Sequence, residues 1–131
     1  MSLKLEYHQN VDGKIVQKEL QFSKDLLKEP YNLNSLFVSM VDGQSMEPNI
    51  LHGSLVIADL SQKEFENEAI FLIYKDNNMW IKKAKIIENS KYFISINLKY
   101  SHLTYKFEDC RVIAKVLLTF KIDKQLHTLT P

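Results

Sequence analysis

Apolar positions fall in short runs broken by polar stretches, and most runs carry the β-prone side chains Val, Ile, Phe and Tyr. Residues 14–22 alternate loosely and end on Phe22, the period-two pattern of a half-buried strand. Ser23 then offers a side-chain oxygen to cap a helix start, and Asp25 suits the first turn. Leu26 and Leu27 give that short helix an apolar side, and Pro30 stops it. Residues 36–41, Leu-Phe-Val-Ser-Met-Val, predict a strand that Gly43 and Pro48 break. Further strands are predicted over 55–58, 69–74, 79–87, 92–96 and 112–122. The polar stretch Lys75-Asp76-Asn77-Asn78 joins two of them as a hairpin. No element is assigned to residues 1–13. Short strands dominate, so the predicted class is mainly β, a twisted sheet or partly closed barrel with one short helix.

Length and composition narrow the functional classes. The 131 residues suit one domain, and an apolar fraction of 45% is enough for a real core. The 17 basic and 16 acidic side chains leave a net charge of +1, which does not favour a nucleic-acid surface despite the local cluster Lys82, Lys83 and Lys85. Cys110 is the one cysteine, which excludes an intramolecular disulfide and fits a reducing compartment. No apolar run approaches the roughly 20 residues of a bilayer-spanning helix, and the N-terminus lacks a signal-peptide pattern. A cytoplasmic protein without a membrane partner is expected. No Cys or His pairs stand at ligand spacing and no glycine loop could cradle a phosphate, so neither metal nor cofactor is expected. Glu64, Glu66 and Glu68 read as a solvated turn face.

Two residues carry candidate chemistry. Ser45 lies in Val41-Asp42-Gly43-Gln44-Ser45-Met46-Glu47-Pro48, where a strand gives way to a tight turn. Such a turn lifts a hydroxyl clear of the sheet, Gly43 permits unusual backbone angles, and Pro48 suits the first turn of a short helix. Backbone amides at the turn point at one spot and could hold an oxyanion. The plain alternative is a serine bonding locally. A serine nucleophile needs a base. His8, His52, His102 and His127 are scattered, and His52 is nearest to Ser45 in sequence. Lys82 is the better candidate, because strand alternation places it on one face with Trp80, Ala84 and Ile86, away from Lys83 and Lys85. Burial there would lower its pKa and free a neutral amine to act as general base. The alternative is a lysine snorkelling past Trp80 to water.

These segments resemble the C-terminal domain of LexA-like and phage-repressor-like Ser–Lys autopeptidases. That family carries Val-x-Gly-x-Ser-Met-x-Pro at its nucleophile, and residues 41–48 match it throughout. Its catalytic lysine stands in a strand like Val-Lys-Arg-Leu, matched by Ile81-Lys82-Lys83-Ala84, 37 residues after Ser45. Its Asn-x-x-Tyr segment is matched by Asn97-Leu98-Lys99-Tyr100, and its Val-Ile-Gly-Lys-Val strand by Val112-Ile113-Ala114-Lys115-Val116. The family turn Asp-Gly-Asp is replaced by His52-Gly53-Ser54. The resemblance implies a β-rich fold shared with signal peptidases, Ser45 as nucleophile and Lys82 as general base. It also implies oxyanion donors at the amides of Gln44 and Ser45, with Gly43, Met46 and Pro48 in support. It divides the chain into an N-terminal segment over 1–13, a remnant of the cleavage-site or linker region, a peptidase domain over 14–122, and a tail over 123–131. Family members cut themselves at Ala-Gly or Cys-Gly, neither of which occurs here, while Asp12-Gly13 stands at a comparable distance before the serine.

The same resemblance implies a transcriptional repressor whose peptidase domain mediates self-cleavage and dimerisation. On one strand face lie Val112, Ala114, Val116, Leu118, Phe120 and Ile122, an apolar row suited to the core or to a homodimer contact through the C-terminal strand region. DNA contact would belong to an N-terminal domain that this chain does not hold, and an inducer or recombinase-type co-protease would be a further partner. Two alternatives stand beside this reading: a catalytically silent dimerisation or sensing module, and a UmuD-like stand-alone accessory protein of the SOS response.

Overall fold

A computed structural model describes residues 1–121. Nine strands follow in chain order: β1 (Ser2–Val11), β2 (Lys14–Ser23), β3 (Leu36–Met40), β4 (Leu55–Asp59), β5 (Ile70–Lys75), β6 (Asn78–Ile87), β7 (Ser90–Ile94), β8 (Tyr105–Lys106) and β9 (Arg111–Phe120). β1 and β2 form a two-stranded sheet, and the others form one antiparallel sheet in the order β3-β4-β9-β5-β6-β7-β8. The mainly β class holds. Both sheets are open, with β3 and β8 as the edges of the larger, so the barrel does not close.

Three hairpins turn on two residues of positive φ each: Asp12 and Gly13, Asp76 and Asn77, Glu88 and Asn89. Paired left-handed residues match the right-handed twist of the flanking strands, and Asp and Asn tolerate that region better than most side chains. The hairpin expected at residues 75–78 is therefore present. The first hairpin pairs Ser2–Val11 with Lys14–Ser23 along their whole length. Leu3, Leu5 and Leu20 pack beside a core of Phe22, Leu27 and Ile57, so residues 1–13 are stabilised by contacts far away in sequence.

The predicted short helix is a single 3-10 turn at Lys24–Leu26. Ser23 Oγ does accept the Asp25 N–H, at 3.2 Å. Leu27 then turns extended and is buried with Phe22 and Ile57, so tertiary burial ends the helix before Pro30 can. No helix begins at Pro48 either: residues 45–49 form tight turns, with cis bonds at Glu29–Pro30 and Glu47–Pro48. Among the described residues every helical segment is of the 3-10 type.

The apolar row predicted on β9 does not keep one face. Leu72 pairs with Ala114 and Ile73 with Val112, which leaves Ile113 as an extra residue. Ile57 pairs with Leu118 and Ala58 with Val116, which leaves Leu117 extra. Each bulge shifts the side-chain parity by one. Accordingly Ile113, Ala114 and Val116 share one cluster, while Leu117, Leu118 and Phe120 share another. β9 lies inside the sheet between β4 and β5. Ile122 and residues 123–131 lie outside the described residues.

Candidate active site

The segment after β3 is held from below by apolar anchors. Val41, Met46 and Ile50 are buried in one cluster with Val56, Leu72, Ile81 and Ala114. Met46, 1% exposed, points into the core directly after Ser45, which leaves Ser45 half-buried at the turn surface. Val41 donates its N–H to Ser54 O, and Gly53 donates to Val41 O, both at 2.8 Å, so the 51–54 turn braces the start of the loop. Gly43 follows at φ +105°, a conformation that side-chain-bearing residues rarely adopt.

Asn97 braces the other side. Its backbone N–H donates to Ser45 O at 2.8 Å and its Nδ2 to Gln44 O at 2.9 Å. Its Oδ1 accepts the Lys99 N–H, capping the 3-10 turn Leu98–Tyr100. Both carbonyls of Gln44 and Ser45 are thereby fixed, while among the described residues no protein acceptor takes the N–H of either. Free amides at a fixed turn are the arrangement an oxyanion requires.

Lys82 lies on β6 opposite Phe71 of β5 and is fully buried. Its Nζ donates to Ser95 Oγ at 2.7 Å, and the Ser95 hydroxyl donates to Leu103 O at 3.3 Å. Among the described residues no carboxylate lies within ion-pair distance of Lys82. The acidic residues Glu64, Glu66 and Glu68 are exposed, as expected of a solvated turn, and two of them pair with other lysines: Glu68 takes Lys83 and Lys85, and Glu66 takes Lys115. Those lysine bonds hold Glu68 down to about 2, whereas burial alone pushes the Lys82 ammonium down to about 8. The rings of Trp80 and Tyr105 stand 5.3 and 5.9 Å from the Lys82 nitrogen and offer weak compensation for its lost hydration.

A cleft of about 230 Å³ lies between these parts. The 39–45 segment, including Ser45, forms one wall, and Met79, Trp80 and Ile81 form another. Val56, Leu72, Tyr100 and Leu103 complete the lining. The Ser45 turn and the β6 segment that leads into Lys82 thus meet at one cleft. No hydrogen bond joins Lys82 Nζ to Ser45 Oγ; the side-chain partner of the amine is Ser95. His52 is also committed: its Nδ1 accepts the Gly43 N–H at 2.8 Å. His8 is exposed on β1, His102 stacks on Tyr100, and His127 lies outside the described residues.

A family model described as Peptidase S24-like matches residues 6–117. The chain belongs to this family. The match spans Ser45, Lys82, Ser95 and Asn97, and it includes most of the β1–β2 hairpin. As an S24-like peptidase domain the chain sits in the LexA and signal-peptidase superfamily. No curated protein matches the sequence. Among the described residues no group of three or more His, Cys, Asp or Glu side chains could hold a metal, and no helix is long and apolar enough to cross a membrane. Cys110 is half-buried, and its Sγ donates to Lys106 O.

Ser95 escapes a reading of the sequence. It interrupts the apolar run Tyr92-Phe93-Ile94-Ser95-Ile96, and its only signal is a lone hydroxyl in a strand-like stretch. Its meaning depends on β6 lying beside β7, which pairs Lys83 with Ile94 and brings Lys82 to Ser95.

Proposed function

We propose that this S24-like domain is a Ser–Lys peptidase in which Ser45 is the nucleophile and Lys82 the general base. The observation that carries the reading is a fully buried lysine that has no carboxylate partner among the described residues, in the strand that walls the Ser45 cleft. Burial places its pKa at about 8, where a neutral amine is accessible. Ser95 takes one N–H of that amine, which leaves the lone pair of the neutral form for the Ser45 proton.

In the proposed cycle, Ser45 Oγ gives its proton to Lys82 Nζ and bonds to the scissile carbonyl carbon. The resulting oxyanion is held by the N–H groups of Gln44 and Ser45. Collapse breaks the C–N bond, and the Lys82 ammonium returns the proton to the leaving amine. Water then attacks the ester carbonyl as Lys82 takes its proton, and the Lys82 ammonium passes that proton to Ser45 Oγ as the ester C–O bond breaks, which frees the acid product and restores neutral Lys82. Cleavage requires neutral Lys82, so the rate rises as pH climbs through about 8. The neutral fraction grows from roughly a tenth at pH 7 to roughly nine-tenths at pH 9, an increase of about tenfold. Incubation of the full chain with a quenched peptide library at pH 7, 8 and 9, with products mapped by mass spectrometry, tests this. Ser45→Ala and Lys82→Ala are expected to give no cleavage, and product formation by either at the wild-type rate sinks the reading.

The wider context follows the same family. The chain is proposed to act in the cytoplasm as the self-cleaving, dimer-forming part of a LexA-like transcriptional regulator. Sedimentation across a range of concentrations checks the dimer, and a monomer throughout counts against it. A second reading, a silent sensing or dimerisation module, is favoured by one observation: no hydrogen bond joins Lys82 Nζ to Ser45 Oγ. The peptide assay separates the two.

A further inference from the structure

The turn that carries Ser45 is clamped from two sides, and one clamp can titrate. Asn97 holds the carbonyls of Gln44 and Ser45. On the other side, Gly43 N–H donates to His52 Nδ1 at 2.8 Å. A backbone N–H only donates, so this nitrogen carries no proton and the ring must be the neutral tautomer protonated on Nε2.

We infer that His52 is a positioning residue for the Ser45 turn, holding Gly43 only while its imidazole is neutral; this rests on the peptidase reading of Ser45. Gly43 immediately precedes Gln44, whose N–H is a proposed oxyanion donor. Fixing the Gly43 amide anchors the Asp42–Gly43 peptide plane, one Cα before the Gly43–Gln44 plane that carries this donor, and so limits where the turn can place it. The ring itself stands on a fixed platform. His52 N–H donates to Glu47 Oε2 at 3.3 Å, and the next residue, Gly53, donates to Val41 O.

Protonation makes Nδ1 a donor, and two donors cannot share the bond. The charged groups on the two segments that meet at the ring are Asp42 and Glu47, both carboxylates. Asp42 Oδ1 lies 3.8 Å from Nδ1 and offers the protonated ring another acceptor. The turn therefore has two arrangements: His52 accepting from Gly43, or His52 donating toward Asp42. An asparagine at this position would place an oxygen where Nδ1 stands and accept at every pH.

Two measurements on the full chain test the inference. In ¹⁵N-resolved spectra from pH 5 to 8, the Gly43 amide is expected to move with the same midpoint as the His52 ring protons, and to stay still in His52→Asn. A fluorophosphonate probe at pH 9 reads Ser45 reactivity without needing a known substrate. His52→Ala is expected to lower the maximal labelling rate about tenfold with the probe's binding constant unchanged, and His52→Asn to stay within about threefold of wild type. A Gly43 amide that stays still while His52 titrates overturns the inference, as does His52→Ala labelling at the wild-type rate. A wild type that does not label although its Gly43 amide titrates refutes the peptidase reading, and the positioning role with it, while the His52–Gly43 bond stands.

Discussion

Replacing Lys82 by methionine should remove activity and stabilise the fold at neutral pH. The side chain is fully buried with no carboxylate partner among the described residues, and burial lowers its pKa from 10.5 to about 8. At about 1.4 kcal/mol per pH unit, the wild type gives up about 3 kcal/mol at pH 7 to bury this amine. Methionine fills a similar volume without charge. It forfeits the hydrogen bond to Ser95, about 1 kcal/mol, while the Ser95 hydroxyl keeps Leu103 O. The variant should therefore be more stable by about 2 kcal/mol at pH 7. The sign reverses in alkali. Between about 8 and 10.5 the unfolded chain binds more protons at this site than the folded one, so wild-type stability rises relative to the variant. By pH 10.5 most of the 3 kcal/mol is recovered, and the wild type should be about level or slightly ahead. Urea unfolding followed by circular dichroism at pH 7 and 10.5 measures both values, and groups common to the two proteins cancel in the difference. A Lys82→Met protein that is less stable at pH 7, or a difference that does not change with pH, would show that the amine is hydrated in solution, and the argument for a neutral base would fall.

Two further outcomes follow from the bonds around the site and the core. Asp59 is buried, and its carboxylate accepts from Asn32 N–H, Ser61 N–H, Ser61 Oγ and Gln62 Nε2. Burial raises its pKa, but these donors outweigh burial and carry it below 3.8. Asp59→Ala should cost about 3 kcal/mol in urea unfolding at pH 7 by orphaning those donors. Because the folded value is the lower one, this contribution is complete above the ordinary aspartate range and fades as pH falls through the folded value; a gap that is constant down to pH 2 would refute it. Asn97→Ala removes one of the two donors to Gln44 O, leaving the Glu47 N–H, and lifts the cap on Leu98–Tyr100, and should slow Ser45 labelling about tenfold at a stability cost of only about 1 kcal/mol. An unchanged labelling rate would show that the Ser45 turn holds its shape without Asn97.

Much of the fold was legible in the residue pattern, and the misses have identifiable causes. β2 to β7 and β9 fall where alternation and polar breaks placed strands, because β-prone runs and left-handed-tolerant turn residues act locally. β1 was not, because its partner strand and the core beneath it supply its stability. The helix after Ser23 shrank to one turn because Leu27 is drawn into the core. The two β9 bulges at Ile113 and Leu117 were invisible because they arise from pairing with two different neighbours at once.

The site divides along the same line. Sequence alone determined that Ser45 stands where a strand gives way to a turn, and that Lys82 shares a strand face with Trp80 and Ala84, since both statements depend only on local residue pattern. Only the tertiary structure decided that Lys82 is fully buried, that its bond goes to Ser95, and that Asn97 and His52 clamp the Ser45 turn. Those partners lie on separate elements, and a lysine's charge state depends on which groups the folded chain brings within hydrogen-bonding distance of its amine.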